Sequence, residues 1–221
     1  MINNLKKILK KIKFLRIIYF NFNNKFKHFK KLNLNSDSVV IDLGANIGLV
    51  SEFIYKKYNC FIYSYEPNTE IFNILKKRFR KNKKVRCFNY GISDDGLSKK
   101  LYFQKNYYKD KVTYSVSSTF LKKKLTMNYN NFIKVNTRKI EDIINSFEYI
   151  DLIKIDIEGY EYKIIPNLIK NKNKIKKVIC ELHGDPKKKY SKFKFLEDDY
   201  KELISKLKKE KLLNNWFIVH H

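Results

Sequence analysis

The sequence predicts an α/β protein with a doubly wound, mostly parallel β-sheet and helices on both faces. Short β-branched and aromatic runs alternate with segments whose apolar residues recur at helical spacing, as in a parallel sheet. Apolar residues make up 43% of the 221 residues, which is enough to bury a full core. The length fits one domain of roughly 150–200 residues with an appendage. We therefore expect an extension at 1–36 and a domain at 37–221.

The first half of the domain shows a βαβαβ pattern. A strand at 39–43 is followed by a glycine turn and by a helix that ends at Tyr58. A second strand at 60–65, a helix over 71–79 and a third strand at 85–90 come next. The third strand is closed by Gly91 and by a turn at 93–96, where the residues are Ser, Asp, Asp and Gly.

The second half is less regular before it returns to the same alternation. Short strands at 101–104 and 132–135 flank a Ser/Thr-rich segment at 113–119, which we expect to be a loop at the rim of the active site. Beyond these, the pattern predicts helices over 139–147, 160–170 and 195–213, and strands at 150–157, 177–182 and 216–219.

The charge of the chain is strongly positive. There are 48 Lys and Arg against 22 Asp and Glu, a formal net charge of +26, and only 5 of the 48 basic residues are Arg. A nucleic-acid site would be expected to use more Arg, because the planar guanidinium matches phosphate oxygens. Genome composition and solubility therefore explain the charge better than dedicated nucleic-acid binding, although such a field attracts anionic substrates and membranes at low salt.

The extension at 1–36 contains ten basic and no acidic residues. From Leu5 to Leu15 its apolar residues follow helical spacing with lysines on the other face, which predicts a basic amphipathic helix. Such a helix either makes a peripheral contact with an anionic membrane or docks its apolar face on the domain.

Several features predict a cytoplasmic protein, peripheral at the membrane face if the extension binds there. The apolar stretches are too short to span a bilayer, and no small-residue cleavage site follows an apolar core. Cys60, Cys87 and Cys180 lack CxxC spacing, so we expect buried thiols in a reducing compartment.

The first chemical motif is the turn from Asp42 to Gly48, between the first strand and its helix. Such a turn presents backbone N–H groups and a helix N-terminus to a ligand at the carboxyl edge of the sheet. Asn46 stands where the dinucleotide fingerprint needs its second glycine, and the Gly-Lys-Ser/Thr of a P-loop is missing. Nicotinamide and nucleoside-triphosphate ligands are therefore disfavoured.

The second motif is Glu66, which ends the second strand. Its two carboxylate oxygens can accept both hydroxyls of a ribose. A ribose site without a pyrophosphate turn points to a nucleoside without phosphates, such as S-adenosylmethionine. Asp42 would then face the cationic methionine end of this cofactor, and Ser93 and Asp94 would face the adenine. The predicted cofactor-binding residues are Asp42, Gly44, Ala45, Asn46, Gly48, Glu66, Asn68, Ser93 and Asp94.

The third motif joins two strand ends. Alternation along a strand places Asp156 and Glu158 on one face, and likewise Glu181 and His183. If the strands are neighbours, the four side chains meet at the carboxyl edge of the sheet, and we predict them as the catalytic residues. His183 or a carboxylate could take a proton from a hydroxyl, and several could hold a hard divalent metal, although we predict none. The alternative is that the acids cap helices and pair with lysines.

Together these residues resemble the FkbM-type S-adenosylmethionine-dependent methyltransferases, from about Asp37 to Gly184. The resemblance rests on these segments: Val40-Ile41-Asp42-Leu43-Gly44-Ala45-Asn46-Ile47-Gly48, Tyr65-Glu66-Pro67-Asn68, Ser117-Ser118, Ile140-Glu141-Asp142-Ile143, the run from Asp151 to Glu161, and Glu181-Leu182-His183. It implies a class I methyltransferase (Rossmann-like) fold and O-methyl transfer, often to a sugar or glycan hydroxyl. It maps Asp42, Gly44, Asn46, Gly48 and Glu66 to the cofactor, and Asp156, Glu158 and His183 to the substrate. The family's closing strand hairpin has little room after Val219.

The leading interpretation is an O-methyltransferase that acts on a sugar, glycan or glycolipid hydroxyl. One alternative is a catalytically degenerate fold that serves as a basic RNA- or membrane-binding module. Another is an RNA ribose 2′-O-methyltransferase, although nucleic acid is the less favoured partner. The oligomeric state is left open.

Overall fold

A computed structural model describes residues 26–187 and 192–220, without the side chains of 217–220. The chain divides into two compact units, 1–33 and 34–221. In the first unit, Lys27–Phe29 form a turn of 3-10 helix. The amphipathic helix predicted from Leu5 to Leu15 lies outside the described residues, so its contact with a membrane or with the domain stays a prediction.

The second unit contains ten strands and six α-helices within the described residues. The strands are β1 (Val39–Leu43), β2 (Phe61–Tyr65), β3 (Val85–Phe88), β4 (Gly91–Ser93), β5 (Lys99–Gln104), β6 (Met127–Val135), β7 (Thr137–Lys139), β8 (Leu152–Ile155), β9 (Val178–Leu182) and β10 (Trp216–His220). The helices are α1 (Leu49–Tyr58), α2 (Thr69–Phe79), α3 (Lys111–Ser115), α4 (Ile140–Asn145), α5 (Glu161–Lys170) and α6 (Glu197–Lys209).

The main sheet has six strands in the order β10-β9-β8-β1-β2-β3, and all of them are parallel. From β1 the chain first runs outward through β2 to β3, and later returns to the other side of β1 as β8. Because crossovers between parallel strands are almost always right-handed, these opposite directions place α1 and α2 on one face and α5 and α6 on the other. The predicted doubly wound class is therefore confirmed. Its switch point lies between β1 and β8, where ligands bind in open α/β sheets.

The central strands are buried on both faces, as their continuous apolar runs indicate. Every residue of β8 is buried, and so are Val40, Ile41, Asp42 and Leu43 of β1. Two charged residues interrupt this core. Asp42 of β1 and Lys154 of β8 stand opposite each other in the register. The centre of the sheet therefore carries one buried pair of opposite charges directly below the switch point.

The middle of the domain differs from the prediction. Gly91–Ser93 form a strand, β4, which pairs in parallel with β7, where we predicted the end of a strand and a turn. The turn exists as well, because the Ser93 Oγ accepts a hydrogen bond from the Gly96 N–H at 2.8 Å. The strands β5 and β6 form an antiparallel pair and are longer than predicted.

The Ser/Thr-rich segment predicted as a loop begins as a helix. Asp110 caps α3, since its Oδ1 accepts a hydrogen bond from the Thr113 N–H at 3.0 Å. The segment is therefore more ordered at its start than its Ser and Thr content indicates.

The last strand and the cysteines largely follow the prediction. β10 pairs in parallel with β9, at the edge of the six-stranded sheet of the described residues. The three cysteines are free thiols; Cys60 and Cys180 are buried, whereas Cys87 is only partly buried. Among the described residues, no helix is long and apolar enough to cross a membrane.

The turn after β1 requires glycine at Gly44. Its φ is +74°, in the left-handed region, and a Cβ there would lie 2.0 Å from the backbone oxygen of Asp156. The turn therefore packs directly against the chain that leaves β8. An added methyl would clash with backbone that cannot rotate away.

Gly44→Ala should lower the free energy of unfolding by roughly 3 kcal/mol or more, because backbone strain and overpacking add. Gly96→Ala is the matched control. Gly96 also has a positive φ, of +77°, but the atoms nearest to an added Cβ would lie 3.5 Å from it. This control should cost only about 1 kcal/mol, from backbone strain alone. Urea unfolding of both variants measures the difference. Equal losses would contradict the close approach of Gly44 to Asp156.

Candidate active site

A buried lysine joins the two strands at the switch point. The Lys154 Nζ lies 3.0 Å from the Asp42 Oδ1, and it donates a hydrogen bond of 2.8 Å to the Gly44 carbonyl oxygen. The other oxygen of Asp42, Oδ2, accepts a hydrogen bond of 2.6 Å from the Ser51 hydroxyl. Burial lowers the pKa of Lys154, but Asp42 and Asp156 more than offset this and raise it. Lys154 is therefore charged, and it holds the turn to β8.

The carboxylate of Asp42 is enclosed by the protein. Its side chain is 0% exposed and lies against Lys154 and Ser51. Asp42 therefore acts through Lys154 on the turn above it, and its predicted contact with the methionine end of the cofactor stays a prediction.

The turn itself is tied to the end of β2 by backbone donors. The N–H groups of Gly44 and Ala45 donate to the Tyr65 carbonyl oxygen at 3.1 and 2.9 Å. The Asn46 N–H donates to the Glu66 Oε2 at 2.9 Å, and Asn46 has a positive φ of 50°. These bonds place Gly44, Ala45 and Asn46 beside Glu66, as the sequence predicts for one binding site.

Gly48 is the N-cap of α1, with a φ of +82°, and it is packed against α2. A Cβ there would lie 2.5 Å from Leu75 and 2.7 Å from Phe79 of α2. Close packing between the turn and α2 therefore explains this glycine. Its predicted contact with the cofactor stays a prediction.

Glu66 lies at the end of β2 and is 7% exposed. Besides the Asn46 N–H, it accepts a hydrogen bond of 2.9 Å from the Asn68 N–H at Oε1. Burial raises its pKa to about 7, although these N–H donors act in the opposite direction. The side chain of Asn68 caps α2 at the Glu70 N–H and donates to the Tyr107 hydroxyl at 2.8 Å. Asn68 thus positions the elements around Glu66, and its contact with the cofactor stays a prediction.

The two residues predicted to face the adenine, Ser93 and Asp94, have different surroundings in the structure. Ser93 is fully buried between β4 and β7, where its hydroxyl lies 2.6 Å from that of Thr137. The Ser93 side chain therefore holds β4 to β7, and its predicted contact with the adenine stays a prediction. The Asp94 Oδ1 accepts a hydrogen bond of 2.8 Å from the Tyr160 hydroxyl, and its adenine contact stays a prediction.

The residue that directly follows β3 is Asn89, which the sequence analysis missed. Its side-chain amide donates to the carbonyl oxygens of Glu66 and Pro67 at 2.9 and 3.1 Å. Asn89 lay inside the strand predicted at 85–90, whereas the strand ends at Phe88 and leaves Asn89 at the edge of the sheet.

The acidic cluster consists of Asp156, Glu158, Glu181 and His183, and these residues converge as predicted. One ligand-type atom from each of Asp156, Glu158 and His183 lies within 4.8 Å of the others. The His183 Nε2 is 3.8 Å from the Glu158 Oε2 and 3.9 Å from the Glu181 Oε1. The convergence follows from the pairing of β8 with β9.

Glu161 orients the imidazole of His183. Its Oε1 lies 3.2 Å from the His183 Nδ1 and accepts a hydrogen bond of the same length from the Ile157 N–H. Glu161 is 0% exposed although it belongs to the first turn of α5. Burial lowers the pKa of His183, but Glu161 and Glu158 outweigh this and raise it to about 9. The sequence analysis included Glu161 in a motif but gave it no role.

Lys124 is the second residue that the sequence analysis missed. It is 1% exposed, and its Nζ lies 2.7 Å from the Glu158 Oε2 and 2.8 Å from the Ser117 carbonyl oxygen. The same Nζ lies 4.7 Å from the centre of the Phe193 ring. The alternative interpretation of lysine-paired acids therefore applies to Glu158. In the sequence, Lys124 is one of three consecutive lysines and carries no signal of its own.

The sequence of the chain is similar to known methyltransferases. The family model described as the methyltransferase FkbM domain matches residues 42–211. The chain is 24% identical over 158 residues to methyltransferase sdnD of Sordaria araneosa, which covers 60% of this chain and 61% of that protein. The chain thus spans less than two thirds of the length of this relative.

Among solved structures, the chain is similar to a fibrillarin/Nop5p complex, with a TM-score of 0.46 and 16% identity over 81% of this chain and 64% of that chain. It is also similar to precorrin-6y C5,15-methyltransferase from Geobacter metallireducens GS-15, with a TM-score of 0.40 and 14% identity over 76% and 65% of the two chains. The family match covers most of the chain, including the turn from Asp42 to Gly48, Glu66 and the residues of the acidic cluster. The chain therefore belongs to the FkbM methyltransferase family.

Proposed function

We propose that the protein transfers the methyl group of S-adenosylmethionine to a hydroxyl of a sugar or glycan. The observation that carries this proposal is the contact between Gly44 and the backbone of Asp156. It joins the turn beside Glu66 to the acidic cluster, so a cofactor on the turn would present its methyl group to a substrate at the cluster. Positioning of this kind supplies much of the rate of a group transfer.

The residues of the turn and Glu66 would hold the cofactor. Glu66 accepts the ribose hydroxyls, since each oxygen keeps acceptor capacity beyond its one backbone bond. The backbone of Gly44, Ala45 and Asn46 shapes the adjoining surface. When bound, S-adenosylmethionine would supply an electrophilic methyl group to the substrate oxygen. The hydroxyl would lose its proton, and S-adenosylhomocysteine and a methyl ether would result.

We assign Asp156 as the general base that accepts the proton of the substrate hydroxyl. Its side chain is partly exposed, and its backbone contacts the turn. Glu158 is instead bonded to Lys124. A general base of this kind contributes roughly 10²- to 10⁴-fold to the rate.

The acceptor class rests on the family resemblance and on charge. A net charge of +26 favours anionic glycans or lipid-linked sugars over neutral ones, because it raises the local concentration of anions. Such a preference weakens as salt rises.

Glu66→Gln should raise the Kd for S-adenosylmethionine at least tenfold, because a neutral amide replaces a carboxylate that accepts charge-assisted hydrogen bonds. Glu210→Gln is the matched control, since Glu210 directly follows α6 and pairs with Lys172 outside the proposed site. Calorimetric titration measures both. Equal affinities in the two variants would contradict the role of Glu66.

The affinity for S-adenosylhomocysteine should depend on pH through Glu66. Its pKa is raised to about 7, so the carboxylate that accepts the ribose hydroxyls is lost as the pH falls through 7. The Kd should be roughly tenfold higher at pH 6 than at pH 8 if only the ionised form binds. Glu66→Gln should remove this dependence. A wild-type profile that stays flat would show that Glu66 is ionised over the whole range or does not contact the ligand.

Asp156→Asn should lower kcat by roughly 10²-fold or more while the Kd for S-adenosylmethionine changes little. The assay follows transfer of a labelled methyl group to neutral and acidic oligosaccharides at low and high salt. Acidic acceptors should be preferred at low salt. Methylation of RNA but of no sugar would overturn the proposed acceptor class.

A further inference from the structure

We propose that Asp156, Glu158 and His183 form a binding site for one divalent cation, with Glu181 beside them as a fourth ligand. The proposal rests on the spacing of these groups and on the buried carboxylate of Glu161 that orients His183. It concerns binding of the ion alone, and it is therefore independent of the proposed methyl acceptor.

The distances between these side chains fit ligands that share one metal ion better than groups that are hydrogen-bonded directly to one another. Two ligands on one divalent ion lie roughly 3–4.8 Å apart when each bond is about 2.1–2.4 Å. The atoms of Asp156, Glu158 and His183 lie within 4.8 Å of one another. The His183 Nε2 is 3.8 and 3.9 Å from oxygens of Glu158 and Glu181, too far for hydrogen bonds.

The buried carboxylate of Glu161 orients His183 as a ligand. Histidines that bind metals usually donate their other ring N–H to a carboxylate, which fixes the tautomer and the ring plane. His183 is 6% exposed, and its Nδ1 lies 3.2 Å from the Glu161 Oε1, so Nε2 is the nitrogen turned towards the cluster. Among the described residues, the fully buried Glu161 Oε2 has no hydrogen-bond partner. A buried carboxylate of this kind requires positive charge nearby.

Two ammonium groups of the described residues reach the cluster: Lys124 at 2.7 Å from Glu158, and Lys154 at 3.9 Å from Asp156. Lys154 is also paired with Asp42. A cation bound at the cluster therefore competes with Lys124 for the carboxylate of Glu158.

The donor set indicates the kind of cation. Carboxylate oxygens with one imidazole nitrogen suit hard to borderline divalent ions such as Mn²⁺, Mg²⁺ or Zn²⁺. The net charge of +26 repels cations from the rest of the surface, so weak unspecific binding should be low. Mn²⁺ is the probe of choice, because its electron paramagnetic resonance spectrum reports bound ion directly.

The test is calorimetric titration of the full chain with MnCl₂, without cofactor or acceptor. We expect one Mn²⁺ per chain, and at least tenfold weaker binding in Asp156→Asn and His183→Gln. Glu161→Gln should weaken binding roughly 10- to 100-fold through the orientation of His183. Glu141→Gln is the matched control, since this residue of α4 pairs with Lys139 and should leave the affinity unchanged.

Three results would overturn the proposal. One is a folded wild-type protein without saturable binding at millimolar Mn²⁺. Another is unchanged affinity in both Asp156→Asn and His183→Gln. The third is loss of binding in a folded Lys124→Met variant, since removal of a competing ammonium should leave binding at least as tight. If Asp156→Asn fails to fold, the electron paramagnetic resonance spectrum of Mn²⁺ bound to the wild-type protein decides instead. We expect this spectrum to show coupling of the ion to an imidazole nitrogen, and the absence of that coupling contradicts the site.

Discussion

The buried pair of Lys154 and Asp42 is the interaction on which the rest of the site depends. Burying two charges costs several kcal/mol each unless both are paired and hydrogen-bonded. The structure meets this condition by placing the residues opposite each other on neighbouring strands and by giving Lys154 the Gly44 carbonyl oxygen as a further acceptor. The charge pair thus fixes the turn that separates β1 from α1. This turn lies between two halves of the site, the proposed cofactor half around Glu66 and the half formed by the acidic cluster.

The two halves are built by different means. On the side of β2, backbone N–H groups hold Glu66, and the positions depend on turn geometry. On the side of β8 and β9, charged side chains hold one another, through Glu161 and Lys124. The first arrangement suits a nucleoside that must be recognised by shape and by its hydroxyls. The second suits a group whose proton or charge changes during reaction.

The sequence predicts the main sheet and the convergence of its strand ends, because parallel strands bring successive carboxyl ends to one edge. It does not predict pairing between distant segments. The strand β4, which contains Ser93, was not predicted because the turn at 93–96 is a strong local signal, whereas the partner of β4 lies in β7, more than 40 residues later. Lys124 was missed because nothing in a lysine-rich chain marks the one lysine that tertiary packing buries.

The segment from Tyr107 to Lys124 touches both halves of the site. Near its start, Tyr107 and Ser115 accept hydrogen bonds from Asn68 and Asn46, the neighbours of Glu66. Near its end, the Thr119 hydroxyl and Lys124 bond to the backbone and side chain of Glu158. One continuous stretch of chain therefore links the nucleoside side to the acidic side. A ligand that shifts this stretch from one side changes the affinity of the other, and thermodynamic reciprocity makes the effect equal in both directions.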